Sequence, residues 1–295
     1  MTTQTSLKDI SKKIQELPTP DFLVQNIIAV ASDPESNTKD LNNAVIKSPP
    51  LSAKILKMSN SAYYALPRRV TKLTQAINIL GFKTVRNLAL SIFTVKSYFR
   101  KEYEFFNTEK FWKHLMGTAI ASELLSKHLN YPEREEAFLC GMLHDMGKIA
   151  MSIIMPDIFE MIIKVSRHKK ISFEEAEELL ETYSHQQIGK ILFESWNLSD
   201  VVIDSANFHN SPQKNKNENT RMLTNIVYIS NLTINIIFYG FSGSFSIPVP
   251  NEDIWNSVGL TPKKYLSYFE KLKIVISESE DFLNINNIVE DMEEE

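Results

Sequence analysis

The run GMLHDMGK at residues 141–148 places two adjacent polar side chains, His144 and Asp145, directly behind an apolar stretch. The lead-in at residues 137–140 has the apolar character of a buried helix, and Gly147 stands where such a helix would end. The pattern predicts a buried helix whose last turn presents His144 and Asp145 to a cleft.

An imidazole beside a carboxylate offers the nitrogen and oxygen ligands that Zn, Mn and Fe ions accept. The same pair also fits a helix cap next to a buried core histidine. The dipeptide by itself leaves both interpretations open, and the rest of the chain has to decide between them.

Apolar residues recur at helical spacing along the chain, beginning with Leu7, Ile10, Ile14 and Leu17. Only 8 Gly and 12 Pro among 295 residues argue against a strand-and-turn architecture. The single cysteine, Cys140, excludes an internal disulfide and suits a reducing cytoplasm. These features predict an all-α cytoplasmic protein.

The sequence predicts no association with a membrane. Its first six residues lack the basic-then-apolar pattern of a signal peptide. Residues 226–241 are the most membrane-like, but polar residues interrupt them and they are too few to span a bilayer comfortably. We therefore expect a buried core helix there.

The net charge of −4 hides a strong asymmetry along the chain. Residues 41–101 contain no Asp or Glu, and the remainder carries 21 basic and 36 acidic residues, a net charge of −15. The basic residues of the acid-free segment are Lys47, Lys54, Lys57, Arg68, Arg69, Lys72, Lys83, Arg86, Lys96, Arg100 and Lys101. We predict that they form one positive surface that attracts an anionic partner. The alternatives are pairing with an acidic segment such as 174–181 and simple solvation.

The HDxGK pattern of residues 144–148 resembles the core motif of the HD superfamily of metal-dependent phosphohydrolases. The resemblance implies an all-helical fold with one histidine from an earlier helix, the His-Asp pair and a later Asp as metal ligands. His114 fits the first place, and His144 and Asp145 fit the pair. Asn231 stands where the closing Asp is expected.

A second set of motifs resembles the HDOD family, HD-related output modules of bacterial signalling proteins. The motifs are LPTP at 17–20, KSPPLSAKIL at 47–56, NSAY at 60–63, AI at 76–77 and LG at 80–81. The match covers about residues 10 to 235 and implies a multi-helix, HD-like fold with two packed helical lobes. We predict a basic lobe at 7–101, an HD-like lobe at 102–241 and a helical extension with an acidic tail at 242–295.

The later ligand positions depart from the HD pattern. Phe208-His209 replaces a His-His pair, and Asn231 lacks the negative charge of the expected Asp. His185 opens a helix after Ser184, and we predict a hydrogen-bonding role for it there. The remaining set, His114, His144 and Asp145 with the amide oxygen of Asn231, predicts weak binding of one divalent Zn, Mn or Fe ion.

The resemblance to HDOD proteins implies a non-enzymatic signalling or regulatory module, since that family is generally regarded as non-catalytic and is associated with motility, stress and second messengers. No catalytic residue is assigned, and the expected partner is a protein or a nucleotide. One alternative is a metal-dependent phosphohydrolase acting on a nucleotide or cyclic dinucleotide, and another is a nucleic-acid-associated regulator.

The predicted anion-binding residues are Lys148, beside the His-Asp pair, and Arg68, Arg69 and Lys72 in the basic segment. Lys148 has an alternative role, because a lysine near a helix C-terminus can satisfy the last carbonyl groups.

Overall fold

The computed structural model describes residues 7–60, 68–99 and 103–278, and within these ranges every regular element is a helix. The all-α prediction is confirmed. The helices are α1 (Leu7–Gln15), α2 (Phe22–Ser32), α3 (Thr38–Val45), α4 (Pro49–Ser59), α5 (Leu73–Leu80), α6 (Phe82–Tyr98), α7 (Thr108–His128), α8 (Arg134–Leu143), α9 (Met146–Ile154), α10 (Pro156–Lys169), α11 (Phe173–Leu179), α12 (His185–Ser195), α13 (Asp200–Phe208), a 3-10 turn (Pro212–Lys214), α14 (Glu218–Ile236), α15 (Glu252–Ser257) and α16 (Pro262–Glu278).

Two capping boxes fix where helices α11 and α12 begin. The Ser172 hydroxyl accepts from the backbone of Glu175, whose carboxylate accepts in return from the Ser172 backbone. Ser184 and Gln187 make the same reciprocal pair at the start of α12. Each box satisfies backbone N–H groups that the first helical turn leaves without partners. His185 consequently becomes the first residue of α12.

The chain forms two compact units, Met1–Thr19 with Lys101–Leu272, and Pro20–Arg100 with Lys273–Glu295. We call these unit 1 and unit 2. Helix α1 packs against α9 and α12 of unit 1. The unit boundaries therefore differ from the predicted segments 7–101, 102–241 and 242–295, which stay predictions.

Unit 1 is organised around the pairing of α7 with α8 and α14, while α12 packs between α9 and α13. Large side chains fill its interior, including Trp112 and Phe111 on α7 and Phe193 on α12, each fully buried. Removing such apolar surface from water is the main stabilising contribution to a helical fold of this kind.

One helical stretch of the described residues, Arg134–Ile154, is long and apolar enough to cross a membrane by composition, and 89% of its most apolar window is buried inside the protein. This burial is what an interior segment requires. It spans α8 and α9, which are separated by a turn at His144 and Asp145.

Unit 2 packs α2–α6 around an apolar core that includes Ile27, Leu41, Ile55, Ile77 and Val85. Two of the basic residues of the acid-free segment, Lys54 and Arg86, are buried and take no part in an exposed positive surface, which otherwise stays a prediction. The side chain of Lys54 is 4% exposed and that of Arg86 is 8% exposed. Arg86 donates to Asn87 within α6. The predicted anion-binding residues Arg68, Arg69 and Lys72 are exposed between α4 and α5. Arg100, Lys101 and residues 61–63 of the NSAY motif lie outside the described residues.

The sequence predicts that Gly147 ends a helix. In the structure it is instead the second residue of α9. Its role is to let α9 and α12 approach closely. A Cβ at Gly147 would overlap the carbonyl oxygen of His185 and lie 2.8 Å from the backbone nitrogen of Gly189. At Gly189 the nearest atom would be 3.5 Å away, an ordinary van der Waals contact.

We expect Gly147→Ala to lower the free energy of unfolding by about 2 kcal/mol or more, because backbone atoms of α12 cannot yield as a flexible side chain would. Gly189→Ala is the matched control, and it should be neutral or slightly stabilising because Ala favours a helix interior. Chemical denaturation of both variants measures the difference. Equal stability of the two variants would contradict the close approach.

Glu123 on α7 supplies a test of pH dependence. Burial, with the nearby charge of Glu135, raises its pKa to about 7. Above that value the folded protein carries a poorly solvated carboxylate. The buried carboxylate of Glu123 therefore lowers the free energy of unfolding most above about pH 7. This destabilisation disappears as the pH falls toward 4.5, the ordinary pKa of a glutamate. We expect Glu123→Gln to stabilise the protein by on the order of 1 kcal/mol at pH 8 and much less at pH 5. Thermal unfolding at both pH values, with the exposed Glu178→Gln as control for a lost charge, measures this. A stability gain that does not change with pH would contradict the assignment.

Candidate metal centre

The carboxylate of Asp145 lies at the centre of four imidazole rings in unit 1. Asp145 and His144 occupy the turn between α8 and α9, while His114 comes from the middle of α7. His185 begins α12, and His209 follows the last residue of α13. None of the five side chains is more than 1% exposed.

The two oxygens of Asp145 divide the histidines into two pairs. Oδ2 lies 3.4 Å from Nε2 of His144 and 3.6 Å from Nε2 of His114. Oδ1 lies 3.1 Å from Nε2 of His209 and 3.3 Å from Nε2 of His185. Each pair forms with Asp145 a group of three candidate ligand atoms that lie within 4.8 Å of one another.

Backbone carbonyls at helix ends orient two of the rings. Nδ1 of His144 lies 2.7 Å from the carbonyl oxygen of Gly141, and Nδ1 of His209 lies 2.9 Å from that of Ala206. Because a carbonyl oxygen only accepts, Nδ1 donates in both cases. A neutral ring then carries a lone pair on Nε2, which faces Asp145. Outer partners of this kind hold metal-ligating histidines in the required tautomer.

A carboxylate orients the third ring in the same sense. Nδ1 of His185 donates to Oε2 of Glu177 at 2.9 Å, and the His185 backbone donates to Oε1 at 2.6 Å. Glu177 is 2% exposed, so this contact is shielded from water. A carboxylate–histidine pair that leaves Nε2 directed at a cluster is a common metal-site arrangement.

Several atoms of the cluster lack a hydrogen-bond partner among the residues that the structure describes. They are Nε2 of His114, Nε2 of His144 and Oδ1 of Asp145. Imidazole lone pairs that face a carboxylate repel it unless a cation or a proton lies between them, and unpartnered buried polar atoms are costly. A divalent cation satisfies these atoms, so the residues fit a metal ion.

Lys148 contributes the positive charge nearest to Asp145. Its Nζ lies 2.6 Å from Oδ2 of Asp145 and 3.0 Å from the carbonyl oxygen of Ser242, and it lies over the ring of Phe173. Burial opposes the charge of Asp145, but the ammonium group of Lys148 does most to offset it, and the Asp145 pKa lies well below its ordinary range. Asp145 is therefore an anion at neutral pH.

The histidines differ in protonation. Burial lowers the pKa of His114 to about 4 and that of His209 to about 3, so both rings are neutral and able to ligate. Burial also acts on His185, but the Glu177 carboxylate more than offsets it and raises the His185 pKa to about 9. Metal binding at His185 therefore has to displace a proton.

A cavity of about 240 Å³ adjoins the cluster, with His185 and Lys148 in its wall. Amide and hydroxyl side chains dominate the lining. These amide and hydroxyl side chains belong to Ser172, Asn210, Gln213, Tyr228, Asn231, Asn235, Ser242, Ser244, Ser246 and Asn251. This cavity is where a small ligand would reach the cluster.

The structure brings His114, His144 and Asp145 together, and their assignment as metal ligands stays a prediction. Asn231 lines the cavity, but its Oδ1 accepts from Nδ2 of Asn235 at 2.9 Å. The Asn231 side-chain oxygen, which a cation would need as a ligand, therefore already accepts a hydrogen bond. Lys148 is in the first turn of α9, so it does not satisfy carbonyls at a helix C-terminus. Arg68, Arg69 and Lys72 belong to unit 2 and take no part in this cluster.

The sequence interpretation assigned too few residues to the cluster. His185 has the predicted hydrogen bond at a helix start, but its Nε2 also faces Asp145. His209 contributes to the cluster although Phe208 precedes it. The capping box at residues 184–187 and the resemblance to a His-His position were the signals. Glu177 gave none, because its contact with His185 joins α11 to the start of α12 and arises only in the folded protein.

Comparisons with known proteins support the same fold. An uncharacterized protein of Treponema pallidum (strain Nichols) is 21% identical over 233 residues, which cover 79% of this chain and 44% of that protein. The chain thus spans less than half the length of this relative.

Solved structures resemble unit 1 and unit 2 over most of the chain. An HDOD domain protein of unknown function from Geobacter sulfurreducens has a TM-score of 0.74 at 19% identity, covering 96% of this chain and 99% of its own. A protein from Shewanella amazonensis SB2B, provisionally called a phosphohydrolase, gives 0.72 at 22% identity, covering 95% and 97%. One from Marinobacter aquaeolei VT8, provisionally called a signal transduction protein, gives 0.74 at 20% identity, covering 92% and 60%. Identities this low establish the shared fold alone.

The model of the HDOD domain family matches residues 17–212, well over half of the chain. This range includes the His-Asp pair, His185 and His209. The chain belongs to the HDOD domain family.

Proposed function

We propose that this protein is a metal-binding regulatory module of bacterial signalling that acts by binding a partner and not by turning over a substrate. The observation that carries the proposal is the set of buried imidazole nitrogens around Asp145, with outer partners that direct three of the Nε2 atoms inward. Such a set is stable when a cation neutralises it.

The ligand types favour Zn, Mn or Fe, because imidazole nitrogen with one carboxylate oxygen suits these ions. His114, His144 and Asp145 would hold one ion, and Asp145, His185 and His209 would hold a second or the same ion. When bound, the ion would supply a Lewis acid and fixed positive charge beside the cavity.

Two contacts support binding over turnover. Asn231 is an uncharged amide whose oxygen is held by Asn235. Lys148 donates to Oδ2 of Asp145 and offsets its negative charge. A hydrolytic centre that holds two ions needs more negative charge than these residues supply.

The second candidate is a metal-dependent phosphohydrolase that acts on a nucleotide or cyclic dinucleotide. It is favoured by one observation, the sharing of Asp145 between two ligand groups. A carboxylate placed between two ions is typical of two-metal hydrolytic sites. For either candidate, the exposed Arg68, Arg69 and Lys72 of unit 2 are the proposed contact residues for an anionic partner.

We expect protein stripped of metal by a chelator to gain stability when Zn, Mn or Fe is restored. At a free ion concentration one hundred times the dissociation constant, the gain is about 2.7 kcal/mol, which raises the unfolding temperature by several degrees. The metal content per chain, measured by mass spectrometry, should rise in parallel.

The matched variants for this test are His209→Ala and His168→Ala. His168 is exposed on α10, so its variant should keep the full metal-induced rise. His209→Ala should lose most of it, and the comparison is made within each variant because removing a buried ring costs stability by itself. Unchanged metal content in His209→Ala would remove His209 from the centre.

We also expect no hydrolysis of phosphodiesters or nucleotides above the level of a His144→Ala control. Protein loaded with Mn, Zn or Fe is incubated with a nucleotide panel, and products are separated by chromatography. Metal-dependent turnover that is abolished by His144→Ala would overturn the binding role and favour the phosphohydrolase.

A further inference from the structure

In the wall of the cavity beside the cluster, the hydrogen bonds show which side-chain atoms donate and which accept. The assignment begins with Asn235. Its Nδ2 donates to the backbone carbonyl of Asn231 at 3.0 Å, and its Oδ1 accepts from the Ser242 hydroxyl at 2.9 Å. Since a carbonyl only accepts, the amide of Asn235 has one orientation.

The orientation of Asn231 follows from that of Asn235. Nδ2 of Asn235 also donates to Oδ1 of Asn231, so Nδ2 of Asn231 is left as a donor. The Asn231 side chain is 8% exposed and lines the cavity. Within the described residues its Nδ2 has no acceptor. This N–H group is not closed off in the interior, so an acceptor that enters the cavity can pair with it.

Tyr228 and Ser244 add donors to the same wall. The Tyr228 hydroxyl accepts from the backbone of Asn251 at 3.1 Å, and the Ser244 hydroxyl accepts from the backbone of Phe173 at 3.1 Å. Each hydroxyl therefore keeps its own proton to donate. Tyr228 is 7% exposed, so its side chain is largely shielded from bulk water.

Two residues with ionisable side chains, Lys148 and Glu174, also line the cavity. Lys148 lines the cavity with an ammonium group that has three donors, two of which are used by Asp145 and Ser242. Glu174 also lines the cavity, and burial raises the pKa of this carboxyl group. An Asp at position 231 would have added a second carboxylate. The Asn found there offers a donor where a carboxylate would repel an anion.

We propose that this cavity binds a phosphate group, free or as a phosphomonoester, through Lys148, Asn231, Tyr228 and Ser244. All four residues line the same cavity, and their donors suit a ligand rich in acceptor oxygens. The inference rests on the proposed function, because it names the ligand that the metal-binding regulatory site would recognise. Asn231 is then an anion-binding residue and not a metal ligand.

The test is calorimetric titration of the full chain with inorganic phosphate and with adenosine monophosphate, before and after metal loading. The wild-type protein should bind at least one of these probes. Asn231→Asp should weaken that binding by about tenfold or more, because it replaces a donor by a like charge. Asn219→Asp, exposed on the same helix α14, adds the same charge and should stay within about twofold of the wild type.

Ser244→Ala is a second variant, chosen because Ser244 is only partly buried and its loss should leave the fold intact. It should weaken binding by about fivefold, the effect of one hydrogen bond. Equal affinities for the two probes identify phosphate itself as the ligand, and tighter binding of the monophosphate identifies a phosphomonoester.

Absence of binding by wild-type protein to both probes overturns the proposal, and so does an Asn231→Asp variant that binds as well as the wild type. Metal content is measured on the same samples. If Asn231→Asp keeps its metal but loses the phosphate, both proposals stand. If wild-type protein binds metal and no phosphate, only the anion site fails.

Discussion

A carboxylate with no exposed surface imposes most of what surrounds it in this protein. Asp145 keeps its charge in the interior, and a buried charge is tolerated only when it is paired and hydrogen-bonded. Lys148 supplies one positive partner, but the inward-facing Nε2 atoms cannot all be satisfied by it. The surrounding helices have to hold these groups at short distances against their mutual repulsion, which only a well-packed fold can do.

Helix termini are the means by which the fold achieves this. His144 and His209 each cap the C-terminal end of a helix and donate to a carbonyl three residues back, while His185 stands at an N-terminus set by a capping box. The last carbonyl groups of a helix lack intrahelical partners, so a ring N–H can donate to one of them, and this contact fixes the direction of the ring. Gly147 then lets α9 reach α12, so that these ends meet.

The sequence was sufficient for the all-α fold, the family and the first part of the centre. Helical periodicity and the HDOD motifs are local patterns, and so is the His-Asp pair. The contributions of His185 and Glu177 are not local, because they depend on how α12 packs against α9 and on the contact between α11 and α12 at Glu177. Charge counting misplaced two residues for a related reason. Lys54 and Arg86 look like surface residues by type and spacing, yet their burial is decided by the helices around them.

The residues that line the cavity come from two parts of the sequence, one inside and one beyond the match to the family model. Residues 242–251 lie beyond the match to the family model at residues 17–212, whereas His144, Asp145, His185 and His209 lie within it. A change at Ser244 or Asn251 therefore alters the wall of the cavity without replacing any of these four residues. This part of the wall is thus separate in the chain from the residues that keep a buried charge neutralised.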